Sequence, residues 1–430
     1  LTAPAGKTYV RCSWNGEEIL MLLINGSIFD GDKRLPAGQA VLVEDGRIRR
    51  IAPVAQFSGY AGRRIDVSGM TILPGLIDCH AHLTLGGELN PAADLGRLNH
   101  AELALRCLEN ALVTLRGGVT AIRDLGGVDY VEFAVRDACN TGRALGPTVR
   151  AAGRYICMTG GTNWFIGRQA DGPGEVVKAV REQIHRGCDC VKLMATGGVL
   201  TPGVRLEHAQ FTCEEMAAGA AEAKRFDKPV ASHAMTPAGV LNAVRAGVDS
   251  IEHGVVLDDE CIAEMLARRV VLVPTLMPFA RLLAANDGGV PAWAMDKARW
   301  ASERHRSSFK AYYQAGGTIA MGADTGTPFN PHGNSAMELK HMVDAGMTPI
   351  DALKAGTANA ADLLRLADRG RLREGAAADL LVVAGDPTTD IDCAAVRAHH
   401  RLVVKDGTIV VDALAGRTGD GPWRIGLVAG

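Results

Sequence analysis

From Met21 to about Met70 short apolar runs alternate with turn signals: Leu22-Leu-Ile before Asn25-Gly26, Ala40-Val-Leu-Val before Asp45-Gly46, and Ile65-Asp-Val before Ser68-Gly69. Runs of this length closed by Asn-Gly or Asp-Gly predict β-hairpins. The same texture returns near the other end, where Asp379-Leu-Leu-Val-Val-Ala precedes Gly385-Asp-Pro and Leu402-Val-Val-Lys-Asp406-Gly407-Thr-Ile-Val-Val reads as strand, turn and strand. Between these pieces the rhythm changes to a short apolar run, a polar or glycine stop, and then a stretch with helical spacing. Strands are predicted at 71–78, 119–124, 148–153, 190–195, 230–233, 250–253, 270–274 and 318–322, with helices at 101–115, 175–186, 212–225, 237–246 and 297–315 between them. Eight strand-helix units over roughly 300 residues predict an α/β fold with a closed (β/α)8 TIM barrel over 71–366. An open doubly wound sheet is the alternative, and no GxGxxG between strand and helix supports it. The β-rich segments 21–70 and 367–420 bracket the barrel, and residues 1–20 read as an N-terminal extension, native or added by cloning.

Composition narrows the class. At 430 residues with 47% hydrophobic and 22% charged side chains, the chain can bury about three quarters of its unfolded surface, so no metal is needed merely to hold it together. Lys and Arg number 46 against 48 Asp and Glu. That balance leaves no basic footprint for nucleic acid and points to a small-molecule partner. The ten cysteines are scattered and Cys188-Asp189-Cys190 is too close for a CxxC pair, so reduced thiols and a cytoplasmic location are expected. No apolar run of membrane-spanning length and no signal-peptide pattern occurs. Association into homo-oligomers is compatible with this architecture.

In a (β/α)8 barrel the reactive residues stand at the C-terminal ends of the strands. That rule selects His80, His82, His233 and His253 from the twelve histidines, whereas His100, His185, His305 and His341 read as solvated or satisfied helix residues. His80-Ala81-His82 in an extended segment turns both imidazoles to one side, where they can reach a single ion. Asp324, in Met-Gly-Ala-Asp-Thr-Gly, ends the eighth predicted strand. Four imidazoles and a carboxylate exceed what one tetrahedral ion uses, so two ions are expected. Lys192 falls inside the barrel if the period of two holds. A buried ammonium tends to lose its proton, and a neutral amine can add carbon dioxide to give a carbamate able to bridge two cations. Its ordinary role would be a neutralised or ion-paired core lysine.

The series Pro74-Gly-Leu-Ile-Asp-Cys-His80-Ala-His82, Val191-Lys192, His233, Ser250-Ile-Glu-His253-Gly and Gly322-Ala-Asp324 resembles the metal-dependent amidohydrolase superfamily, most of all the branch of imidazolonepropionase-related proteins and Xaa-Pro, Xaa-Arg and Xaa-Lys dipeptidases. The likeness extends to Met194-Ala-Thr-Gly-Gly-Val-Leu-Thr-Pro-Gly, Ala345-Gly-Met-Thr-Pro, Ala358-Asn-Ala-Ala and Glu374-Gly-Ala-Ala-Ala-Asp379-Leu. It implies a small β-sandwich built from both chain ends beside the barrel. It further implies two zinc ions: one on His80, His82 and Asp324, the other on His233 and His253, with carboxylated Lys192 and a hydroxide bridging them. Attack of that hydroxide on an amide carbonyl is the implied reaction, with Asp324 as base and then acid, or as a ligand only.

Two departures from the pattern limit the substrate. Dipeptidase relatives often carry His after the paired glycines, where this chain reads Met158-Thr-Gly-Gly161-Thr162-Asn163-Trp164, so Asn163 is expected to donate a hydrogen bond in its place, more weakly than a charged donor. After His233 comes Ala234-Met235-Thr, an apolar wall in place of a polar handle. Tyr155, Asn163, Trp164, Arg205, Met235 and His332 are the substrate candidates. A dipeptide of Xaa-Pro or Xaa-Arg/Lys type or an N-acyl amino acid is the leading expectation, and a cyclic-amide or aryl-amide/urea substrate the second. A deaminase is disfavoured, since Ala234-Met-Thr-Pro offers no glutamate near His233. A non-catalytic interaction protein would require a depleted ligand set.

Overall fold

A computed structural model describes residues 20–285 and 289–416, so the expectation for 1–19 and the end of the 367–420 segment lie outside the described residues. The middle of the chain alternates strand and helix. Leu76–Ala81, Val119–Asp124 and Thr148–Ala151 pair in parallel in that order. A second parallel run joins Ile156–Cys157, Val191–Met194, Val230–Ala234, Ser250–His253 and Val271–Val273. Single backbone contacts link the runs. Asp189 N donates to Ala151 O at 2.8 Å on one side; on the other, Ala320 N donates to Leu272 O at 3.0 Å and Cys79 N to Met321 O at 2.8 Å. Every residue of Leu76–Ala81, Val191–Met194, Val230–Ala234 and Ser250–His253 is buried, as parallel strands covered on both faces must be.

The helices start and stop where local chemistry dictates. Before His100–Arg116 the Asn99 side chain accepts from the Ala101 and Glu102 amides while Glu102 accepts from Asn99 N, and Thr212 with Glu215 repeats this box before Cys213–Arg225. Each box satisfies otherwise orphaned donors. Gly187 and Gly247, at φ 93° and 89°, end Gly172–Arg186 and Pro237–Ala246 in the left-handed conformation. Among the described residues no helix is long and apolar enough to cross a membrane, and the nine described cysteines are free.

Two sequence expectations change. The predicted strand 71–78 is two strands, Met70–Pro74 and Leu76–Ala81, broken at Gly75. Gly75 passes so close to Val119–Asp124 that a Cβ there would stand 2.3 Å from the Thr120 side chain, and its N–H donates to Asp379 O instead of continuing one ladder. The expected boundary at 70/71 therefore falls inside a strand. The eighth predicted strand, 318–322, holds only isolated bridges at Ile319 and, beyond it, Thr325, because the chain touches each neighbour briefly and then turns at Asp324, φ 51°.

The N-terminal segment forms one further sheet by itself and joins the C-terminal segment in another. One orders Arg47–Pro53, Gln39–Glu44, Met21–Ile24 and Arg63–Asp66; the other orders Thr408–Asp412, His400–Lys405, Leu380–Ala384, Met70–Pro74 and Ser27–Ile28. Met21, Val41, Ile48, Ile72, Val382 and Leu402 form one apolar cluster shared by the two. A buried ion pair, Lys405 Nζ to Asp379 Oδ2 at 2.9 Å, sits where this layer meets the central strands, with Nζ also donating to Thr148 Oγ1 at 3.0 Å.

Candidate active site

Leu76–Ala81 carries His80 as its penultimate residue and releases His82 directly after its end. Parallel pairing aligns Met194 with His233 and Ala234 with His253, so the histidines arrive at one end of the sheet. The ring centroids are 5.4 Å apart for His80 and His82, 5.1 Å for His80 and His253, and 4.6 Å for His233 and His253. Asp324 Oδ1 lies 3.3 Å from His82 Nε2 and 3.5 Å from His80 Nε2. His80, His82 and Asp324 each offer a ligand atom within 4.8 Å of the others.

Each imidazole has one nitrogen tied to the protein. His80 Nδ1 is 2.8 Å from Glu252 Oε2, His82 Nδ1 3.0 Å from Gly126 O, His233 Nε2 3.1 Å from Gly197 O and His253 Nδ1 2.7 Å from Thr275 Oγ1. Where the tied nitrogen carries the hydrogen, the other keeps a lone pair, the arrangement that orients metal-binding histidines. Burial, and then the Lys192 charge, pushes His80 well below the usual imidazole range and His233 to about 3; burial and then the neighbouring imidazoles do the same for His253. Neutral imidazole is the form that binds cations. Burial opposes protonation of His82 as well, but the Asp324 carboxylate outweighs it and raises that pKa. Asp324 Oδ1 is buried and has no hydrogen-bond partner. An orphaned carboxylate oxygen facing two imidazoles fits a cation between them.

Lys192 is 2% exposed, and burial lowers its pKa to about 8. Among the described residues no hydrogen bond or ion pair holds its ammonium. The backbone is left-handed at His253, Thr275 and Asp324, with φ of 73°, 52° and 51°. Such strain concentrates at functional sites.

Sequence reasoning did not single out the groups that hold the histidines. Glu252 accepts from Arg123 Nη2 at 2.8 Å and from Ser250 Oγ at 2.6 Å while it meets His80, and Arg123 Nε donates to Cys79 O at 2.7 Å. The signal was a charged residue inside each of two predicted strands, Arg123 in 119–124 and Glu252 in 250–253, since a buried charge requires a partner. His305, expected as an ordinary helix residue, is 2.8 Å from His253 O through Nε2.

The substrate candidates differ in their surroundings. Met235 is buried in a cluster with Val199, Leu206, Val255 and Phe279. The Tyr155 hydroxyl donates to Asn163 O at 2.7 Å, and Asn163 Oδ1 accepts from Thr201 Oγ1 at 2.9 Å. Trp164 is half-exposed and Arg205 is exposed, 3.6 Å from Glu207. His332 is the clearest departure. Its Nε2 lies 3.2 and 3.0 Å from the carbonyls of His82 and Leu85, and its Nδ1 is 3.4 Å from Thr114 Oγ1. With both nitrogens engaged it braces the chain after His82 and has no ring nitrogen left for a ligand.

Residues 71–410 match the Amidohydrolase family. The chain belongs to that family. The ochratoxinase of Aspergillus niger is 31% identical over 418 residues, 87% of this chain and 83% of that protein. A Xaa-Pro dipeptidase crystallised with methionine in its active site is 31% identical, with TM-score 0.83 over 91% of this chain and 99% of the other. A prolidase complexed with N-methylphosphonate-L-proline is 29% identical at TM-score 0.83, with the same coverage. This amidohydrolase is accordingly a hydrolase of carbon-nitrogen bonds, and its structural neighbours imply a TIM-barrel fold.

Proposed function

We propose that the protein is a binuclear zinc amidohydrolase acting on a dipeptide of Xaa-Pro or Xaa-Arg/Lys type or on an N-acyl amino acid. One observation carries this reading: four imidazoles, three of them buried and each with one nitrogen tied to the protein, cluster ring against ring, and two of them face a carboxylate oxygen that has no hydrogen-bond partner. In this reading His80, His82 and Asp324 would hold one ion and His233 and His253 the other, and Lys192, carboxylated by carbon dioxide, would supply an anionic ligand to both. Two cations held there would supply Lewis-acid polarisation of the scissile carbonyl and a water acidic enough to ionise near neutral pH. Asp324 Oδ1 takes the proton of the attacking water and delivers it to the departing nitrogen. The apolar cluster around Met235 favours a bulky apolar substituent, so an aryl amide is the second substrate class. The ring of backbone contacts supports closure of the central strands as a (β/α)8 barrel, and the apolar cluster shared by the terminal sheets supports the sandwich. Among the described residues nine free cysteines support a reducing compartment such as the cytoplasm.

The test is a screen of Xaa-Pro, Xaa-Arg and N-acyl amino acid libraries with zinc and bicarbonate supplied, together with Lys192→Ala. Loss of activity in that variant, partly restored by short carboxylic acids, is expected, as are two zinc ions per wild-type chain. Full activity in Lys192→Ala rejects the bridge.

A further inference from the structure

His253 is held from two directions, at its Nδ1 by Thr275 Oγ1 and at its carbonyl by His305 Nε2. Thr275 makes its contact from φ 52°, ψ 54°, a region where a β-branched residue is a genuine outlier and that costs on the order of 1–3 kcal/mol. Something must hold it there. Immediately after Thr275 the helix Leu276–Ala284 begins, and its first two amides, Leu276 N and Met277 N, donate to Glu338 Oε1 and Oε2 at 2.7 Å each. Glu338 is fully buried in the helix Met337–Asp344. Among the described residues it forms no ion pair, and the chemistry above does not use it. A carboxylate with both oxygens given to consecutive amides fixes the orientation of that backbone more tightly than a single cap would.

We infer that Glu338 is a positioning residue: its grip on the Leu276 and Met277 amides keeps Thr275 left-handed, and through the Thr275 hydroxyl it aims His253 Nε2 at the cluster. The inference rests on reading His253 as a metal ligand. Glu338→Gln keeps the size but turns an amide NH2 toward one backbone N–H, so one of the two bonds is lost.

The experiment measures zinc per chain after dialysis against a weak chelator, and the dissociation constant of the weaker ion. Glu338→Gln is expected to fall from two zinc ions toward one, with that constant rising about 10–100-fold, the usual effect of removing a partner behind a metal ligand. Thr275→Val should reproduce the loss and Thr275→Ser should not. The double variant Glu338→Gln/Thr275→Val should be no worse than the more affected single, since both act through one contact. Should Glu338→Gln not fold, Glu338→Asp, whose shorter arm leaves one amide unreached, replaces it. Unchanged zinc affinity in the Glu338 variant, even with a lowered Tm, overturns the inference and leaves a helix cap only; so does a multiplicative effect in the double variant. If His253→Ala keeps the wild-type zinc content, the two-ion reading itself fails and the inference with it.

Discussion

Four imidazoles, each with its ring centroid within 5.5 Å of a neighbour's, would repel if protonated, and burial holds the pKa of three of them below the usual range. The most consequential partner is Glu252, which joins His80 to Arg123 in a site with exposures of 2%, 0% and 3%. Replacing it by Gln leaves a buried guanidinium without its counter-charge, and breaking such a pair costs about 3–5 kcal/mol. Urea unfolding of Glu252→Gln should show a loss of that order, whereas a loss below about 1 kcal/mol would mean that Arg123 finds another acceptor. Legibility follows the same line. His80 and His82 could be read because a spacing of two has a fixed geometric meaning, and Asp324 because it ends a run of apolar residues. Glu252 and Arg123 are 129 positions apart, so the sequence displays two charges but not their meeting.

Periodicity reports at the next scale which residues are buried, and it is blind to where a buried run changes partners. It therefore merged Met70–Pro74 with Leu76–Ala81, which differ only in the neighbours they meet on either side of Gly75. Loops are harder still. The segment after Val191–Met194 contains Gly197, whose carbonyl meets His233, and it is secured by Lys297 of the helix Ala292–Gln314. The Lys297 ammonium donates to the carbonyls of Gly198, Thr201 and Val204 at 3.4, 3.2 and 2.5 Å. Hydrogen bonds from a charged group contribute about 1.5–3 kcal/mol. In Lys297→Met, local opening of 197–204 should become easier by about 2 kcal/mol, roughly a 30-fold gain in amide exchange or proteolytic nicking there. KM should rise more than kcat falls. Exchange rates equal to wild type would show that the apolar cluster around Met235, and not the lysine, holds this loop.

The whole molecule carries a pH dependence remote from the site. His400 Nε2 donates to Ala394 O at 2.9 Å while Nδ1 is buried without a partner, and burial lowers its pKa to about 4. Protonation would put an unmatched N–H against Gly118, where a Cβ would stand 3.1 Å from Nδ1. Between about pH 6.5 and 4 the unfolded chain binds the proton and the folded chain does not, so stability declines as pH falls through this window, by roughly 3 kcal/mol in all. His400→Gln, which keeps a donor for Ala394 O but cannot be charged, should flatten that part of the slope in unfolding measurements at stepped pH. An unchanged slope would assign the loss to the other buried histidines. The terminal sheets have a different consequence. Met70–Pro74 pairs along its whole length with Leu380–Ala384, roughly 300 residues downstream. At ribosomal speeds of about 5–20 residues per second, the earlier strand waits some 15–60 s for its neighbour to be made. Throughout synthesis its apolar edge is open to any passing chain, which makes the nascent polypeptide a natural client for chaperones and sets a floor on how quickly a working enzyme can emerge.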